Sequence, residues 1–476
     1  MAGASSDRSV LDNHRHPGFD WTVDVEDTLM DNLDLHKRYL VVGMGLTGQS
    51  VARHLQRQGA SFTMVDSRPQ PPGFDPEEFA QAQFHTGSFP IEVFLACDVL
   101  VVSPGISVHQ PEIEAAVAAG AELAGDIELF AQAMAAQQSS TPIIGVTGSN
   151  GKSTVVSMLG AIMLSAGVNT AVGGNLGTPA LDLLHQQPDA DLYVLELSSF
   201  QLETTRSLRP TAAAVLNISE DHMDRYAALN DYAAAKRRIY INAERCVFNA
   251  LQPITAPEHG LGVAFSMEPT EGARYIASPT HLERDGEKLV PRAALRVPGY
   301  HNIENALAAV ALAAALPNAI APDQAALFEG LASFAGLPHR TQWVAHENGV
   351  DWYNDSKGTN VGATLAAIEG LARPSILIAG GDGKGADFSP LADAASRHVR
   401  AAVLIGRDAP LIASALAEVT QIHRADSMQA AVEQAKTLAQ TGDAVLLSPA
   451  CASFDMYTSY VRRGEDFMAA VERVLA

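Results

Sequence analysis

The segment 143–154 constrains the fold of this chain more than any other, because it joins an apolar run, a glycine-rich loop and a helix start. It reads Ile-Ile-Gly-Val-Thr-Gly-Ser-Asn-Gly-Lys-Ser-Thr, with a glycine at every third position from 145 to 151. Glycines let backbone N–H groups approach a polyphosphate, Lys152 supplies a cation, and Ser153 or Thr154 supplies a hydroxyl for Mg²⁺. Val146 stands where the strict Walker pattern has a glycine. The segment predicts a phosphate-binding loop in an α/β domain, with an ordinary glycine-rich turn as the alternative.

Size and charge restrict the classes of protein that this chain can represent. Its 476 residues suffice for about three domains. A formal charge of −22 argues against nucleic acid or an anionic membrane surface as a partner. The three cysteines are too widely spaced for a disulfide framework or a metal pattern, which favours a reducing cytoplasm. No apolar run reaches the roughly 18 residues of a membrane span, so we expect a cytoplasmic protein without membrane insertion.

The N-terminal part of the chain is predicted to be an extension followed by a nucleotide-binding domain. Residues 1–37 are acidic and lack the apolar stretch of a signal peptide, so we expect an extension without a cleavable leader. Residues 39–48 predict a strand that runs into a Gly-x-Gly-x-x-Gly pattern, and the next strand ends in Asp66, which is suitably spaced to accept a hydrogen bond from a ribose. This fingerprint alone fits NAD about as well as another nucleotide.

Two features mark the end of that first domain. The strand 99–102 leads into a tight Ser-Pro-Gly loop that ends at Gly105, and ligands collect at such strand ends in open α/β sheets. A helical pattern over 126–130 is lost in 131–141, whose Gln-Gln-Ser-Ser-Thr-Pro end is typical of a linker. We place the first domain boundary in that linker.

Polar residues follow the strands that are predicted downstream of the phosphate loop. Glu196 ends the strand 191–196, where a carboxylate can hold Mg²⁺; the alternative is a surface glutamate at a strand end. His222 lies in a dense polar cluster after the strand 212–216, although alone it would be interpreted as a core histidine. Lys236 lies in a helical segment, and its local sequence favours a solvated helix face.

The rest of the chain predicts an alanine-rich helix, a hinge and a third α/β domain. Asn302 and Asn305 lie one turn apart at the start of that helix and share a face. Arg340 ends a second linker, 336–340, and a hinge arginine can reach a transferring phosphoryl group, with a surface charge as the alternative. Beyond residue 341 the pattern of a strand followed by a loop occurs three times, and the loops carry the hydroxyls and lysines that a carboxylate site needs.

Eight segments, in order and spread over residues 38–476, together resemble the Mur ligases of peptidoglycan synthesis. They are 147–154 (Thr-Gly-Ser-Asn-Gly-Lys-Ser-Thr), 196–203 (Glu-Leu-Ser-Ser-Phe-Gln-Leu-Glu), 220–225 (Glu-Asp-His-Met-Asp-Arg), 301–305 (His-Asn-Ile-Glu-Asn), 339–340 (His-Arg), 354–360 (Asn-Asp-Ser-Lys-Gly-Thr-Asn), 380–385 (Gly-Gly-Asp-Gly-Lys-Gly) and 448–453 (Ser-Pro-Ala-Cys-Ala-Ser). The region 265–297 matches the family poorly, the N-terminal extension has no counterpart, and Tyr460 stands where the family has phenylalanine.

The resemblance implies a fold and an activity. The fold is α/β with three domains: a Rossmann-like UDP-binding domain over 38–135, a central P-loop ATPase domain over 136–336, and a Rossmann-like domain over 337–476 that binds the amino acid and ATP. The activity is an ATP-dependent amide ligation, in which the carboxylate of UDP-N-acetylmuramoyl-L-alanine becomes an acyl phosphate that the amine of D-glutamate attacks. ATP and Mg²⁺ are the implied cofactors, and we expect a monomer with no nucleic-acid partner.

The resemblance also implies which residues form the site. For catalysis it implies Lys152, Glu196, His222, Lys236 and Arg340. For ATP it implies Gly148, Ser149, Asn150, Gly151, Lys152, Ser153, Thr154, Asn302, Asn305, Arg340 and Asp355. For the UDP substrate it implies Leu46, Thr47, Asp66, Ser67, Gly105, Asn175 and His222, and for D-glutamate Lys357, Thr359, Lys384, Ser453, Phe454 and Tyr460. For metal it implies Ser153, Glu196, His222 and Lys236, the last as a carbamate formed with CO₂.

Other functions explain less of the chain. A nicotinamide dehydrogenase uses the first fingerprint but leaves Lys152, Glu196 and Arg340 without a role. A P-loop regulatory switch explains the phosphate loop but not the third domain. A sibling Mur ligase, or a ligase like folylpolyglutamate synthase, shares the loop but takes another amino acid. The sibling that adds a diamino acid would carry Asp-Asn-Pro-Arg, where this chain has Asp-Ser-Lys-Gly-Thr from Asp355 onward.

Overall fold

Three separate β-sheets, each flanked by helices, organise this chain in the computed structural model, which describes residues 33–175, 177–259 and 262–475. Most of the predicted N-terminal extension, 1–32, lies outside the described residues. The α/β fold class with three domains is confirmed, whereas the domain boundaries at 135 and 336 stay predictions. Within the part of the chain that the structure describes, no helix is both long and apolar enough to cross a membrane.

The first sheet has five parallel strands in the order β3-β2-β1-β4-β5. Its strands are β1 (Arg38–Val42), β2 (Ser61–Asp66), β3 (Gln83–Thr86), β4 (Val99–Val102) and β5 (Glu122–Ala124), and its helices are α1 (Leu46–Gln58), α2 (Ile91–Leu95), α3 (Pro111–Ala118) and α4 (Asp126–Ala136). The winding direction reverses between β1 and β4, so the glycine loop after β1 and the Ser-Pro-Gly loop after β4 are neighbours.

Helix α4 is longer than the sequence pattern predicts. The prediction that the helix is lost after residue 130 is wrong, because the helix continues to Ala136. The reason is tertiary: Phe130, Ala131 and Met134 are buried, and the Phe130 ring packs edge-on against Tyr193 of the central domain at 5.4 Å between centroids. Helix α4 is therefore part of the contact between the first two domains.

The central sheet has nine strands in the order β14-β13-β12-β11-β10-β9-β6-β8-β7. Its strands are β6 (Ile143–Thr147), β7 (Thr170–Gly174), β8 (Leu192–Glu196), β9 (Ala212–Val215), β10 (Cys246–Asn249), β11 (Gly262–Ser266), β12 (Ala273–Ala277), β13 (His281–Arg284) and β14 (Glu287–Pro291). Its helices are α5 (Lys152–Ser165), α6 (Ala180–Gln186), α7 (Ser199–Glu203), α8 (Leu229–Arg237), α9 (Tyr300–Ala313) and α10 (Gln324–Ser333). Strands β6 to β12 are parallel, and β13 and β14 add an antiparallel edge.

The third sheet has six strands in the order β15-β16-β20-β17-β18-β19, parallel except for β15. Its strands are β15 (Gln342–Glu347), β16 (Val350–Asn354), β17 (Ser375–Ala379), β18 (Val399–Leu404), β19 (Gln421–Arg424) and β20 (Ala444–Leu447). Its helices are α11 (Val361–Leu371), α12 (Leu391–His398), α13 (Ala409–Leu416), α14 (Met428–Leu438) and α15 (Tyr460–Leu475). The three loops that the sequence singled out follow β16, β17 and β20, which are adjacent in the sheet.

The buried apolar clusters join the first two domains and leave the third domain with clusters of its own. One cluster of buried side chains joins the first two domains, since it contains both Val41 of β1 and Leu195 of β8. The two clusters of the third domain contain, among the described residues, only side chains from that domain. The first and central domains therefore form one packed unit, against which the third domain is held by other contacts.

Candidate active site

The phosphate loop predicted from the sequence connects β6 to α5. Gly148 and Gly151 have φ angles of +152° and +82°, and a Cβ atom on Gly151 would lie 2.3 Å from Asn305 Oδ1. Lys152 begins the helix, and its Nζ donates to the carbonyl oxygens of Gly148 at 2.7 Å and Ser149 at 2.9 Å. The ammonium group is therefore held directly over the glycine loop. Burial lowers the pKa of Lys152.

Glu196, at the end of β8, connects the phosphate loop to its neighbours. Its Oε2 accepts a hydrogen bond from Ser153 Oγ at 2.5 Å, and its Oε1 accepts one from Asn175 Nδ2 at 2.8 Å. Burial alone would raise the pKa of Glu196, but the Lys152 charge and these hydrogen bonds outweigh burial and lower it. Arg340 Nη2 from the third domain donates to the same Ser153 Oγ at 2.6 Å. A hydroxyl, a carboxylate and a guanidinium thus converge at the helix start.

A chamber of about 410 Å³ lies between the three domains. Of the predicted site residues, its wall contains Gly105, Ser149, Asn150, Gly151, Lys152, Ser153, Asn175, Glu196, His222, Lys236, Arg340, Lys357, Thr359, Lys384, Ser453, Phe454 and Tyr460. These residues come from loops that lie more than 300 positions apart in the sequence. Groups expected to hold phosphate, a sugar nucleotide and an amino acid therefore face one cavity.

Lys236 is buried in the wall of this chamber, with 2% of its surface exposed. The interpretation of Lys236 as a solvated helix residue is wrong, because α8 turns this face towards the phosphate loop. Its Nζ donates to Gly148 O at 2.9 Å and lies 4.5 Å from the Tyr232 ring centre. Burial and the nearby Lys152 charge hold the pKa of Lys236 well below its ordinary value.

His222 lies at the chamber wall rather than in the core. Its backbone has a left-handed φ of +58°, and its ring packs edge-on against Phe200 at 4.9 Å between centroids. Burial lowers the pKa of His222, and the surrounding lysines add to that effect. No cluster of three or more His, Cys, Asp or Glu side chains able to hold a metal occurs in the described ranges.

The third-domain side of the chamber is rich in cations. Lys357 Nζ lies 4.3 Å from the centre of the Tyr460 ring, and burial together with the charge of Arg340 lowers its pKa to about 8. Lys384 has a φ of +52° in its glycine-rich loop. Two ammonium groups beside hydroxyls form a surface suited to carboxylates.

A second cavity, of about 280 Å³, adjoins the chamber. Asn302, Asn305, Thr154 and Asp355 line it, and Asn305 Nδ2 donates to Asn302 Oδ1 at 3.3 Å, so the two asparagines share a helix face as predicted. Burial raises the pKa of Asp355 to about 6. Four residues line both cavities: Asn150, Gly151, Arg340 and Lys357.

Four residues predicted to bind the UDP substrate line neither of these two cavities. Leu46, Thr47, Asp66 and Ser67 instead lie at the carboxyl edge of the first sheet, where Leu46 is exposed. The Asp66 carboxylate is buried and accepts hydrogen bonds from Met44 N at 2.8 Å and from the Arg68 guanidinium.

Three polar residues near the chamber, Asn360, Asp221 and Arg463, were not predicted as site residues. Asn360 and Asn150 exchange two amide hydrogen bonds, of 3.2 and 3.3 Å, between the third domain and the phosphate loop. Asp221 accepts from Asn360 Nδ2 at 3.2 Å, and Arg463 is fully buried behind the third-domain loops. Asn360 carried one usable signal, since it precedes a helix that its Oδ1 caps.

The arrangement of a phosphate loop, a hinge arginine and a cationic third domain around one chamber defines a class of ATP-using acid–amino-acid ligases. Family models agree with this class over the three domains: "Mur ligase MurD-like, N-terminal domain" matches residues 37–125, "Mur ligase middle domain" matches 146–313, and "Mur ligase, glutamate ligase domain" matches 339–451. This chain belongs to the Mur ligase family.

Individual proteins are also similar to this chain over most of its length. Proteins named "UDP-N-acetylmuramoylalanine--D-glutamate ligase" from Methylobacillus flagellatus and Nitrosococcus oceani are each 48% identical to it, and cover 91% and 92% of this chain and 96% and 97% of their own length. The one from Pseudomonas syringae is 47% identical over 91% of this chain and 97% of its own. A MurF ligase from Thermotoga maritima, solved in complex with ADP, has a TM-score of 0.58 at 14% identity and covers 93% of this chain and 99% of its own, which is a likeness of fold.

Proposed function

We propose that this chain is an ATP-dependent amide ligase that adds D-glutamate to UDP-N-acetylmuramoyl-L-alanine. Relatives that align over 91% or more of its length carry that reaction in their names. The structural observation that carries the proposal is the hydrogen bond from Arg340 Nη2 to Ser153 Oγ, because it joins the third domain's cation to the phosphate loop. A phosphoryl donor, its acceptor and an incoming amine can then meet in one chamber.

The first step transfers the γ-phosphoryl group of ATP to the substrate carboxylate. A carboxylate oxygen attacks the γ-phosphorus, the bond to the bridging oxygen breaks, and ADP leaves with the electron pair. Lys152 and Arg340 neutralise charge on the transferring oxygens, and positioning with charge neutralisation is most of what a protein contributes to this reaction.

Ser153 and Glu196 fit a magnesium ion at this place. Mg²⁺ is usually bound by one or two carboxylates together with substrate phosphates, so a hydroxyl and a carboxylate oxygen 2.5 Å apart are a suitable pair of protein ligands. When bound, the ion supplies positive charge to the β- and γ-phosphates. Asn175 holds Glu196 in the orientation that this requires.

The second step forms the amide bond. The neutral amine of D-glutamate attacks the acyl carbon, a tetrahedral intermediate forms, and phosphate leaves while the amine proton passes to solvent. Lys357 and Lys384 hold the carboxylates of D-glutamate, and Thr359, Ser453, Phe454 and Tyr460 complete that pocket. The other substrate regions are assigned as the sequence predicts, with Asn302, Asn305 and Asp355 at the adenosine and Leu46, Thr47, Asp66, Ser67 and Gly105 at the uridine diphosphate.

Lys236 is proposed to carry a carbamate. Burial holds the pKa of Lys236 well below its usual value, which favours the neutral amine, the form that adds CO₂ with loss of one proton. The product is an anion with two oxygens, suited to a hard cation, whereas an ammonium would repel one. With His222 and Glu196, the modified side chain would complete a second metal site in the chamber.

The test is the release of phosphate from ATP in the presence of UDP-N-acetylmuramoyl-L-alanine. D-glutamate, L-glutamate, L-lysine and meso-diaminopimelate are compared as the second substrate, and the ligated product is weighed by mass spectrometry. We expect release and product with D-glutamate alone. Phosphate release with a diamino acid would favour a sibling ligase. Phosphate release at the same rate whichever amino acid is present would refute ligation.

A further inference from the structure

A guanidinium that forms no salt bridge in the described ranges is buried behind the third-domain wall of the chamber, with the charges of Asp455 and Asp355 near enough to oppose the lowering of its pKa by burial. Arg463, in helix α15, has 1% of its surface exposed. It donates five hydrogen bonds, all to neutral oxygens: to Ser356 Oγ and O, twice to Cys451 O, and to Ala452 O, at 2.8 to 3.3 Å. Within the described ranges no carboxylate accepts a hydrogen bond from it.

Such a group is costly to bury. Removing a charge from water without a salt bridge is unfavourable, and this cost falls only in part when hydrogen bonds replace hydration. Burial lowers the pKa of Arg463 to about 10, so the side chain remains charged at neutral pH. A leucine or methionine at this position would avoid that cost but would take the donor from the buried carbonyl oxygens of Ser356 and Cys451, which is itself unfavourable. The guanidinium therefore pairs these loop carbonyls and also places a positive charge behind the loops.

The acceptors of Arg463 belong to the loops that carry the predicted amino-acid pocket. Ser356 immediately precedes Lys357, and Ala452 immediately precedes Ser453. Ser356 Oγ also donates to Tyr460 O at 2.8 Å, which ties the start of α15 to the same network.

The third loop of the pocket packs against the guanidinium as well. A Cβ atom on Gly381 would lie 3.3 Å from Arg463 Nη1, so glycine allows close approach there. Gly381 begins the segment that leads to Lys384. One side chain thus bonds to the loops after β16 and β20 and lies beside the loop after β17.

We propose that Arg463 is a positioning residue for the amino-acid substrate, which fixes Lys357, Ser453 and Tyr460 relative to one another and adds positive potential behind their pocket. This inference rests on the proposed function, because a substrate with two carboxylates and one ammonium group has a net negative charge. An anionic amino acid gains from a buried cation, which solvent does not screen as it would a surface charge.

The test compares Arg463→Met with Arg462→Met, a control that removes the same charge one residue earlier from an exposed side chain paired with Glu465. We expect Arg463→Met to raise KM for D-glutamate by about tenfold or more, since it removes charge-assisted hydrogen bonds. KM for ATP and KM for the UDP substrate should stay within about twofold of their wild-type values, because the lost interaction affects only the binding of D-glutamate. Arg462→Met should leave all three values near those of the wild type.

Three further measurements keep the proposal falsifiable. Arg463→Lys, which keeps the charge but not the planar donors, should fall between the wild type and Arg463→Met. Millimolar guanidinium should partly restore the D-glutamate KM of Arg463→Ala, whereas urea, which has the same shape without the charge, should not. If the Arg463 variants do not fold, Ser356→Ala is used, and its KM for D-glutamate should rise selectively.

The outcomes separate this inference from the proposed function. If the wild type does not ligate D-glutamate, the proposed function fails. If it does, but folded Arg463→Met keeps its KM for D-glutamate, or raises all three KM values equally, Arg463 has a general structural role and the inference is wrong. Equal rescue by urea would show that the charge is not needed.

Discussion

Arg340 Nη2 donates a 2.6 Å hydrogen bond to Ser153 Oγ, which in turn donates to Glu196 Oε2 at 2.5 Å. The third domain therefore contacts the phosphate loop through the hydroxyl that is proposed to face Mg²⁺. Apart from Leu337 of the linker, which packs against the central cluster, no described side chain of that domain belongs to an apolar cluster of the other two, so polar contacts of this kind help to hold it in place. Such contacts can be made and broken during a catalytic cycle, unlike a packed core.

Replacement of Lys152 by alanine should nearly abolish turnover. The ammonium held over Gly148 O is a preorganised cation for the phosphoryl oxygens, and loss of such a group costs on the order of 10²-fold or more in rate. Binding of the UDP substrate, measured by calorimetry, should be close to that of the wild type, because its proposed uridine site lies in another domain. Lys288→Ala, on an exposed strand residue, is the control. A Lys152→Ala enzyme with more than about half of the wild-type turnover would show that the loop is not catalytic.

The third domain should swing about the linker 336–340. Gly336 and His339 have left-handed φ angles of +93° and +62°, a backbone region that glycine adopts freely. Closure about this linker would keep water from the acyl phosphate. Small-angle scattering should give a smaller radius of gyration with an ATP analogue and the UDP substrate than for the free enzyme. Superimposable curves at saturating ligand would contradict the swing.

Lys236 should form a carbamate that activity requires. With ¹³C-bicarbonate at slightly alkaline pH, we expect a carbamate carbon signal in the wild type and in Lys288→Ala, but not in Lys236→Ala. Removal of CO₂ should lower activity, and its return should restore it. Lys236→Ala should be severely impaired, and formate at high concentration should restore part of its activity by supplying a carboxylate. An active Lys236→Ala enzyme, together with no signal in the wild type, would refute the modification.

A buried histidine pair should make stability depend on pH. His54 of α1 and His185 of α6 lie 3.0 Å apart between ring nitrogens at the contact of the first two domains, beside Arg53, Arg57 and Asp182. Burial, with the neighbouring His185, lowers the pKa of His54 to about 4. In the unfolded chain His54 has its ordinary pKa of about 6.5 and binds a proton below that pH, whereas the folded chain resists protonation down to about pH 4. The contribution of the neutral, buried His54 to folding stability is therefore complete above pH 6.5 and is lost as the pH falls towards 4.

Urea unfolding at pH 7 and pH 5 measures this effect. Between pH 7 and pH 5 the free energy of unfolding should fall by roughly 2 kcal/mol more in the wild type than in His54→Gln, since a difference of one pKa unit corresponds to about 1.4 kcal/mol. His36→Gln, which changes an exposed histidine, should behave as the wild type does. Equal losses in the wild type and His54→Gln would show that the pair does not titrate as expected.

The features that the sequence predicted well are those encoded locally. A strand, a glycine loop and a helix start are adjacent in the chain, so Lys152 and Ser153 could be placed without tertiary information. The burial of Lys236, the length of α4 and the exchange of hydrogen bonds between Asn150 and Asn360 depend on segments far apart in the chain. Arg463 gave no local signal at all, because a polar helix residue is usually solvated.

The most direct test of the account follows oxygen atoms through the reaction. UDP-N-acetylmuramoyl-L-alanine labelled with ¹⁸O in its carboxylate is incubated with ATP, Mg²⁺, D-glutamate and the enzyme, and the phosphate and the product are weighed by mass spectrometry. Attack of the carboxylate on the γ-phosphorus, followed by attack of the amine, predicts one ¹⁸O atom in each phosphate released and one retained in the new amide. Unlabelled phosphate released together with ligated product would contradict the acyl-phosphate route.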